Sequence, residues 1–165
     1  MTDEANRVSV LFVCMGNICR SPTAQGVFEY LAAARGLDDR IVADSAGTHA
    51  YHVGEPPDGR SAAAARRRGI DLSAQRARRV ADEDFARFDL VVAMDRDNLQ
   101  ALRARCPYEL ADRLHLMLSF AADAGVTDVP DPYYGGASGF EQVLDLVEQA
   151  ADGLLDRLEN RLEAG

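Results

Sequence analysis

The chain has no apolar run that approaches the ~18 residues needed to cross a bilayer as a helix. It has no internal repeat and no low-complexity tract, which excludes solenoid, fibrous and disordered architectures. Cysteine is scarce: Cys14, Cys19 and Cys106 make an odd, small set that cannot be a disulfide framework. There is no Cys-x-x-Cys, and His49, His52 and His115 do not pair at ligand spacing, so no structural zinc site is expected. Basic residues fall short as well. The 18 Lys and Arg against 27 Asp and Glu leave a net charge of −9, which argues against nucleic acid or an anionic membrane as the main partner. The acidic Met1-Thr2-Asp3-Glu4 start is unlike a signal peptide, and the cytoplasm is the expected compartment.

What remains has the composition of an ordinary globular domain, 47% hydrophobic and 27% charged. A length of 165 residues suits one domain over 1–165, with residues 1–7 read as flexible. Val8 to Val13 is a short β-branched apolar run and reads as a buried strand. A helix follows from Ser21 and Pro22 to about Arg35 and stops at Gly36. Ile41–Ala46, Asp89–Met94 and Leu114–Leu118 read as further strands. Asp58–Arg68, a short segment capped by Asp82 through Phe88, and Asp97–Arg105 read as helices. Ser138-Gly139-Phe140-Glu141 has capping-box spacing. After it Phe140, Val143, Leu144, Val147, Ala151, Leu154, Leu155, Leu158 and Leu162 recur at intervals of three and four, the stripe of a long amphipathic helix, with Gly153 a point of weakness or bending. Strands alternating with helices predict a parallel α/β sheet, whose ligands bind at the carboxyl ends of the strands.

The segment Cys14-Met15-Gly16-Asn17-Ile18-Cys19-Arg20-Ser21-Pro22 lies at such an end. Five residues separate Cys14 from Arg20, enough for a loop that turns its backbone N–H groups inward and closes on a helix N-terminus, a cradle for an anion. Gly16 permits close approach, and Asn17 tolerates the left-handed region. Arg20 offers a planar fork that matches two phosphate oxygens. A cysteine in that field is favoured as thiolate, the nucleophilic form, and Ser21 can donate to its sulfur. Cys-x5-Arg alone recurs by chance in turns with inert cysteines. Here strand, Cys, Gly-Asn, Arg-Ser and a Pro-opened helix all occur in phase.

Val13 to Pro22 resembles the signature of the low-molecular-weight protein tyrosine phosphatases. Matches continue at Asp44-Ser45-Ala46-Gly47-Thr48, Val53-Gly54, Asp89 through Asp95, and Asp131-Pro132-Tyr133-Tyr134-Gly135. The resemblance implies an α/β fold, a four-stranded parallel sheet flanked by helices with the phosphate-binding loop after the first strand. It also implies metal-independent, cofactor-free hydrolysis of phosphotyrosine monoesters through a phosphocysteine. Cys14 would be the nucleophile, Arg20 the transition-state clamp and Asp131 the general acid. Met15, Gly16, Asn17, Ile18, Cys19 and Ser21 would bind phosphate or substrate, and Ser45 would join Asn17 and Ser21 in a network that holds the loop. Asp95 is given a structural role. Gln75 departs from the histidine of many relatives.

Asp131 is also a candidate acid on its own terms. Pro130 and Pro132 stiffen its placement, and it lies on a long segment, 119–137, of the kind that usually carries function. Tyr133, Tyr134 and Tyr51 can wall a slot for an aromatic substrate. Isoleucine at 18, where phosphoarginine-hydrolysing relatives commonly have threonine, favours phosphotyrosine. The expected partners are phosphotyrosine-containing proteins, a tyrosine kinase among the candidates. Arsenate reduction on the same fold needs relay cysteines that Cys106 alone does not supply. A pure phosphate binder has no need of a nucleophile. Cys19 is placed to form a reversible disulfide with Cys14. The arginine runs at 66–68 and 76–79 read as solvated charge before they read as steering groups.

Overall fold

The computed structural model describes residues 7–133 and 136–164. The start of the segment read as flexible, residues 1–6, and the candidate wall residue Tyr134 lie outside the described residues. Four strands, β1 (Val8–Cys14), β2 (Ile41–Gly47), β3 (Leu90–Ala93) and β4 (Leu114–Leu116), form one parallel sheet in the order β2-β1-β3-β4. Strand order reverses beside β1, so the carboxyl end of β1 opens on the crevice where such sheets bind ligands.

Alternation along β1 divides the core in two. Val8, Val10, Phe12 and Cys14 face α1 (Arg20–Ala34) and α5 (Ala137–Ala164), with Phe12 edge-on to Phe28 of α1 at 5.3 Å. Leu11 and Val13 face the other way, toward Phe85 of α3 (Asp84–Arg87), Phe88, and Leu99 and Leu102 of α4 (Arg96–Arg105). α2 (Gly59–Arg66) packs beside α1 and α5. Every residue of the predicted α5 stripe is buried. Two arginines pin the polar face of that helix. Arg35 reaches Asp152, Asp156 and Glu159, and Arg68 reaches Glu141, Asp145 and Glu148. Among the described residues no helix is long and apolar enough to cross a membrane.

Several boundaries differ from the sequence expectation for physical reasons. β4 stops at Leu116 because β3 ends at Ala93, its last partner, and Met117–Phe120 turns into a 3-10 helix. Asp82 does not cap α3, because it pairs with Arg105 at 2.9 Å instead. Ser138 is not the cap of α5 either. The Gly136 carbonyl already accepts from Gly139, and the helix starts at Ala137.

Gly153 is a docking point and not merely a weak one. A Cβ there would collide with the carbonyl oxygen of Phe120, so the 3-10 turn rests directly on the α5 backbone. Alanine normally favours a helix over glycine by ~1 kcal/mol. At this position overpacking prevails, and Gly153→Ala is expected to lose about 1–3 kcal/mol in a urea melt. A variant as stable as the parent would contradict that contact.

Candidate active site

The chain leaves β1 at Cys14 and enters α1 at Arg20. Four carbonyls of the loop between them are satisfied by groups outside the cleft. Cys14 O accepts from Thr48 N (2.9 Å), Met15 O from His49 N (3.0 Å), Ile18 O from Asp58 N (2.8 Å) and Cys19 O from Thr23 N (3.3 Å). The peptide N–H groups consequently face inward. Those of Met15, Gly16, Ile18 and Cys19 donate to no acceptor among the described residues. Gly47 makes this possible, because a Cβ there would lie 2.7 Å from Met15 O. Asn17 takes the left-handed conformation at φ 58°, as its residue type allows.

A buried network behind the loop has a fixed direction. Gln75 Nε2 donates to the Pro22 carbonyl at 3.0 Å, which turns its Oε1 toward Ser45. Ser45 Oγ donates to that oxygen at 3.4 Å and therefore accepts from Asn17 Nδ2 at 2.9 Å. Asn17 Oδ1 accepts from Arg78 N at 2.9 Å, so its amide cannot turn over. The same Nδ2 donates to Ser21 Oγ at 2.8 Å, which leaves the one Ser21 hydroxyl proton for Cys14 Sγ at 3.1 Å or the Ala46 carbonyl at 3.4 Å, the sulfur being the nearer. The amide of Asn17 donates to Sγ as well, at 3.3 Å. Asn17 N and Ser21 Oγ both stand within hydrogen-bond reach of the sulfur. Asn17, Ser21 and Ser45 thus stand behind the loop and do not line the cleft.

Arg20 is 4% exposed. Its Nη1 donates to Asp95 Oδ2 at 2.6 Å and to Val129 O at 3.0 Å, and its Nη2 lies 3.7 Å from Asp131 Oδ2. Burial disfavours the guanidinium charge. Cys14, Asp95 and Asp131 more than offset it and hold the Arg20 pKa above its ordinary value. Asp95 is engaged twice, since its Oδ1 caps α4 at Asn98 N (2.7 Å). The strap that carries Asp131 is anchored through its backbone: Val129 N donates to Met94 O at 2.9 Å, and Val129 O accepts from Arg20. Arg96 pairs with Asp128 on the same strap at 3.2 Å. Asp131 Oδ1 accepts from Tyr133 N at 3.0 Å, a turn that leaves Oδ2 facing Arg20.

These groups meet in a cleft of about 180 Å³. The loop residues Cys14, Met15, Gly16, Ile18, Cys19 and Arg20 line it together with Tyr51, Asp131 and Tyr133. Tyr51 stacks on His49 with ring centroids 5.2 Å apart. Cys19 and Cys14 are both free, and burial pushes the Cys19 thiol up to about 12 against a hydrogen bond from Ser61. Cys106 lies at the far end of α4, away from the cleft.

The model of the family described as low molecular weight phosphotyrosine protein phosphatase matches residues 9–164. The chain belongs to that family. A low molecular weight protein-tyrosine-phosphatase of Streptomyces coelicolor is 45% identical over 157 residues, covering 93% of this chain and 95% of the relative. The corresponding protein of Bacillus subtilis, YfkJ, is 42% identical over 148 residues, covering 90% and 94%. A crystal structure of the protein tyrosine phosphatase of Entamoeba histolytica superposes with a TM-score of 0.91 at 40% identity, covering 93% of this chain and 97% of that one. The chain is therefore a protein-tyrosine phosphatase, an enzyme whose family is characterised by a cysteine-based mechanism.

Sequence reasoning missed one lining residue of this phosphatase cleft. His52 packs over Gly16, and its Nδ1 is 3.0 Å from Glu55 Oε2. Its place next to Tyr51 was the available signal, but a lone histidine in a loop has no spacing to mark it. Gln75, which departs from the histidine of many relatives but can still hydrogen-bond, sets the polarity of the network.

Proposed function

We propose that Cys14 attacks the phosphorus of phosphotyrosine while Arg20 and the inward N–H groups hold the phosphoryl oxygens. Asp131 protonates the departing phenolate. The supporting observation is the convergence of Cys14, Arg20 and Asp131 on one cleft. The bond from phosphorus to the tyrosine oxygen breaks as the bond to sulfur forms. Water, deprotonated by Asp131 acting as base, then displaces the sulfur and releases phosphate. Ser21, whose Oγ lies 3.1 Å from Sγ, donates to the sulfur both as nucleophile and as leaving group. Charge spread over the equatorial oxygens meets fixed donors, which is where most of the acceleration arises.

Tyr51, Tyr133 and Ile18 give the slot apolar walls suited to a phenyl ring, and Met15, half-exposed at the rim, shapes the entrance. Phosphotyrosine proteins are the substrate class, and an autophosphorylated tyrosine kinase is a partner of the right chemistry. Acid quench of a turning-over mixture tests the covalent step: mass spectrometry should find one phosphoryl group on the Cys14 peptide. Its appearance on another residue would refute the assignment.

Asp131→Asn keeps the shape of the side chain and removes its proton. It should lower kcat/KM for phenyl phosphate by about 10²–10³ and for p-nitrophenyl phosphate far less, because a good leaving group needs little protonation. An equal fall for both would remove Asp131 from the role.

A further inference from the structure

The N-terminus of α2 is bound to the phosphate loop from outside. Asp58 N donates to Ile18 O at 2.8 Å, and Ser61 hydrogen-bonds the Cys19 side chain. The Asp58 carboxylate does two things at once. Oδ1 caps the helix at Arg60 N (2.8 Å), and both oxygens grip the Arg60 guanidinium, at 3.1 Å to Nε and 3.1 Å to Nη2. That grip fixes the plane of a side chain that is otherwise half in solvent. The guanidinium lies 5.4 Å from the centroid of Tyr133 and 4.8 Å from that of Phe140, both within cation–π range. Phe140 is a buried residue of the first turns of α5. Tyr133 is two residues from Asp131 and donates its backbone N–H to the Asp131 carboxylate.

One arginine therefore spans three parts: the helix tied to the phosphate loop, the strap bearing Asp131, and the start of α5. We propose that Arg60 is a positioning residue which, held flat by Asp58, fixes the Asp131–Tyr133 turn above the phosphate loop. The inference rests on the proposed role of Asp131 as proton donor. Arg60 touches neither sulfur nor phosphoryl group. It acts through Tyr133, whose place sets where the Asp131 oxygens stand. Without the guanidinium the turn keeps its own hydrogen bond and the ring contact of Tyr133 with His52 at 6.5 Å, but loses the cation–π link from Arg60, and proton delivery to the leaving group becomes less well aligned.

The test uses the leaving group as the readout, because loss of a merely structural contact would slow all substrates alike. In Arg60→Met, which keeps the stem without the charge or the fork, kcat/KM for phenyl phosphate should fall about fivefold more than for p-nitrophenyl phosphate. Asp58→Asn should produce the same selective loss, and the double variant should be no worse than Arg60→Met, since both act through one link. Arg60→Lys keeps a cation over the rings without the flat grip and should lose part of the selectivity, a measurement that also covers a failure of Arg60→Met to fold. Equal losses for the two substrates, additive losses in the double variant, or an effect confined to KM for acidic phosphopeptides would overturn the proposal. Parent enzyme and Asp131→Asn are assayed alongside. If Asp131→Asn shows no leaving-group dependence, the acid assignment fails. If it does and the Arg60 variants do not, only the positioning role fails.

Discussion

Cys14→Ser is expected to lower turnover of phosphotyrosine peptides by on the order of 10⁵–10⁶ while the protein still folds and still binds inorganic phosphate. The two halves of this result have different causes. A serine hydroxyl replaces the thiol at nearly constant volume in a buried position, so the loop, its satisfied carbonyls and its inward N–H groups keep their arrangement. In the proposed mechanism phosphate is held by those N–H groups and by Arg20, none of which the substitution replaces. Attack, however, needs an anion at position 14. The two groups within hydrogen-bond reach of position 14, Ser21 Oγ and Asn17 N, cannot ionise an alcohol at neutral pH, because the intrinsic acidity of an alcohol is too low. Steady-state kinetics with calorimetric titration of phosphate reads both halves. Substantial turnover in the variant would refute the cysteine mechanism. Lost phosphate binding with retained fold would show that the sulfur itself organises the cradle.

The parts of this site that were readable from sequence are those encoded over short distances. Cys14 to Pro22 carries its meaning in consecutive residues, because a loop closing on a helix N-terminus is built within ten positions of chain. The β1 strand and the α5 stripe are likewise local, since periodicity reports which face of one element is buried. The Asp131 turn was readable because proline brackets it. The contacts that fix direction were not readable. His52 lies over Gly16 because β2 runs beside β1 and brings its following loop to the same end of the sheet, and Gln75 reaches Pro22 and Ser45 because the segment after α2 returns there to bridge Gly47 at Arg79. Nothing in the residues around Gln75 distinguishes a solvated amide from one that orients a network. The reading of Gly153 missed for the same reason: its lack of a side chain answers to Phe120, on a separate element, and not to its own helix. The arginine runs were read as solvated charge, and the structure divides them: Arg68 and Arg78 bind carboxylates across elements, whereas Arg66 is exposed.

Arg20→Lys separates charge from geometry at the centre of the cleft. Lysine keeps the positive charge, so a purely electrostatic role predicts a small effect. The observed contacts predict a large one. The guanidinium meets Asp95, Val129 O and Asp131 together, with Nη1 serving two acceptors and Nη2 turned to the third. An ammonium is a point donor on a shorter stem and cannot meet that set while also offering a fork to the phosphoryl group. In the transition state the equatorial oxygens spread outward, and a planar donor pair is matched to that shape more closely than to the ground state. The loss should therefore fall on kcat, by about 10²–10³, and not on KM alone. Stability should fall as well, by about 1–3 kcal/mol, because a buried acceptor at Val129 and a partly buried Asp95 lose their partner. Kinetics on p-nitrophenyl phosphate and a urea melt of the same preparation measure the two effects separately. A variant that raises KM at unchanged kcat would mean that Arg20 binds phosphate uniformly and does not recognise the transition state.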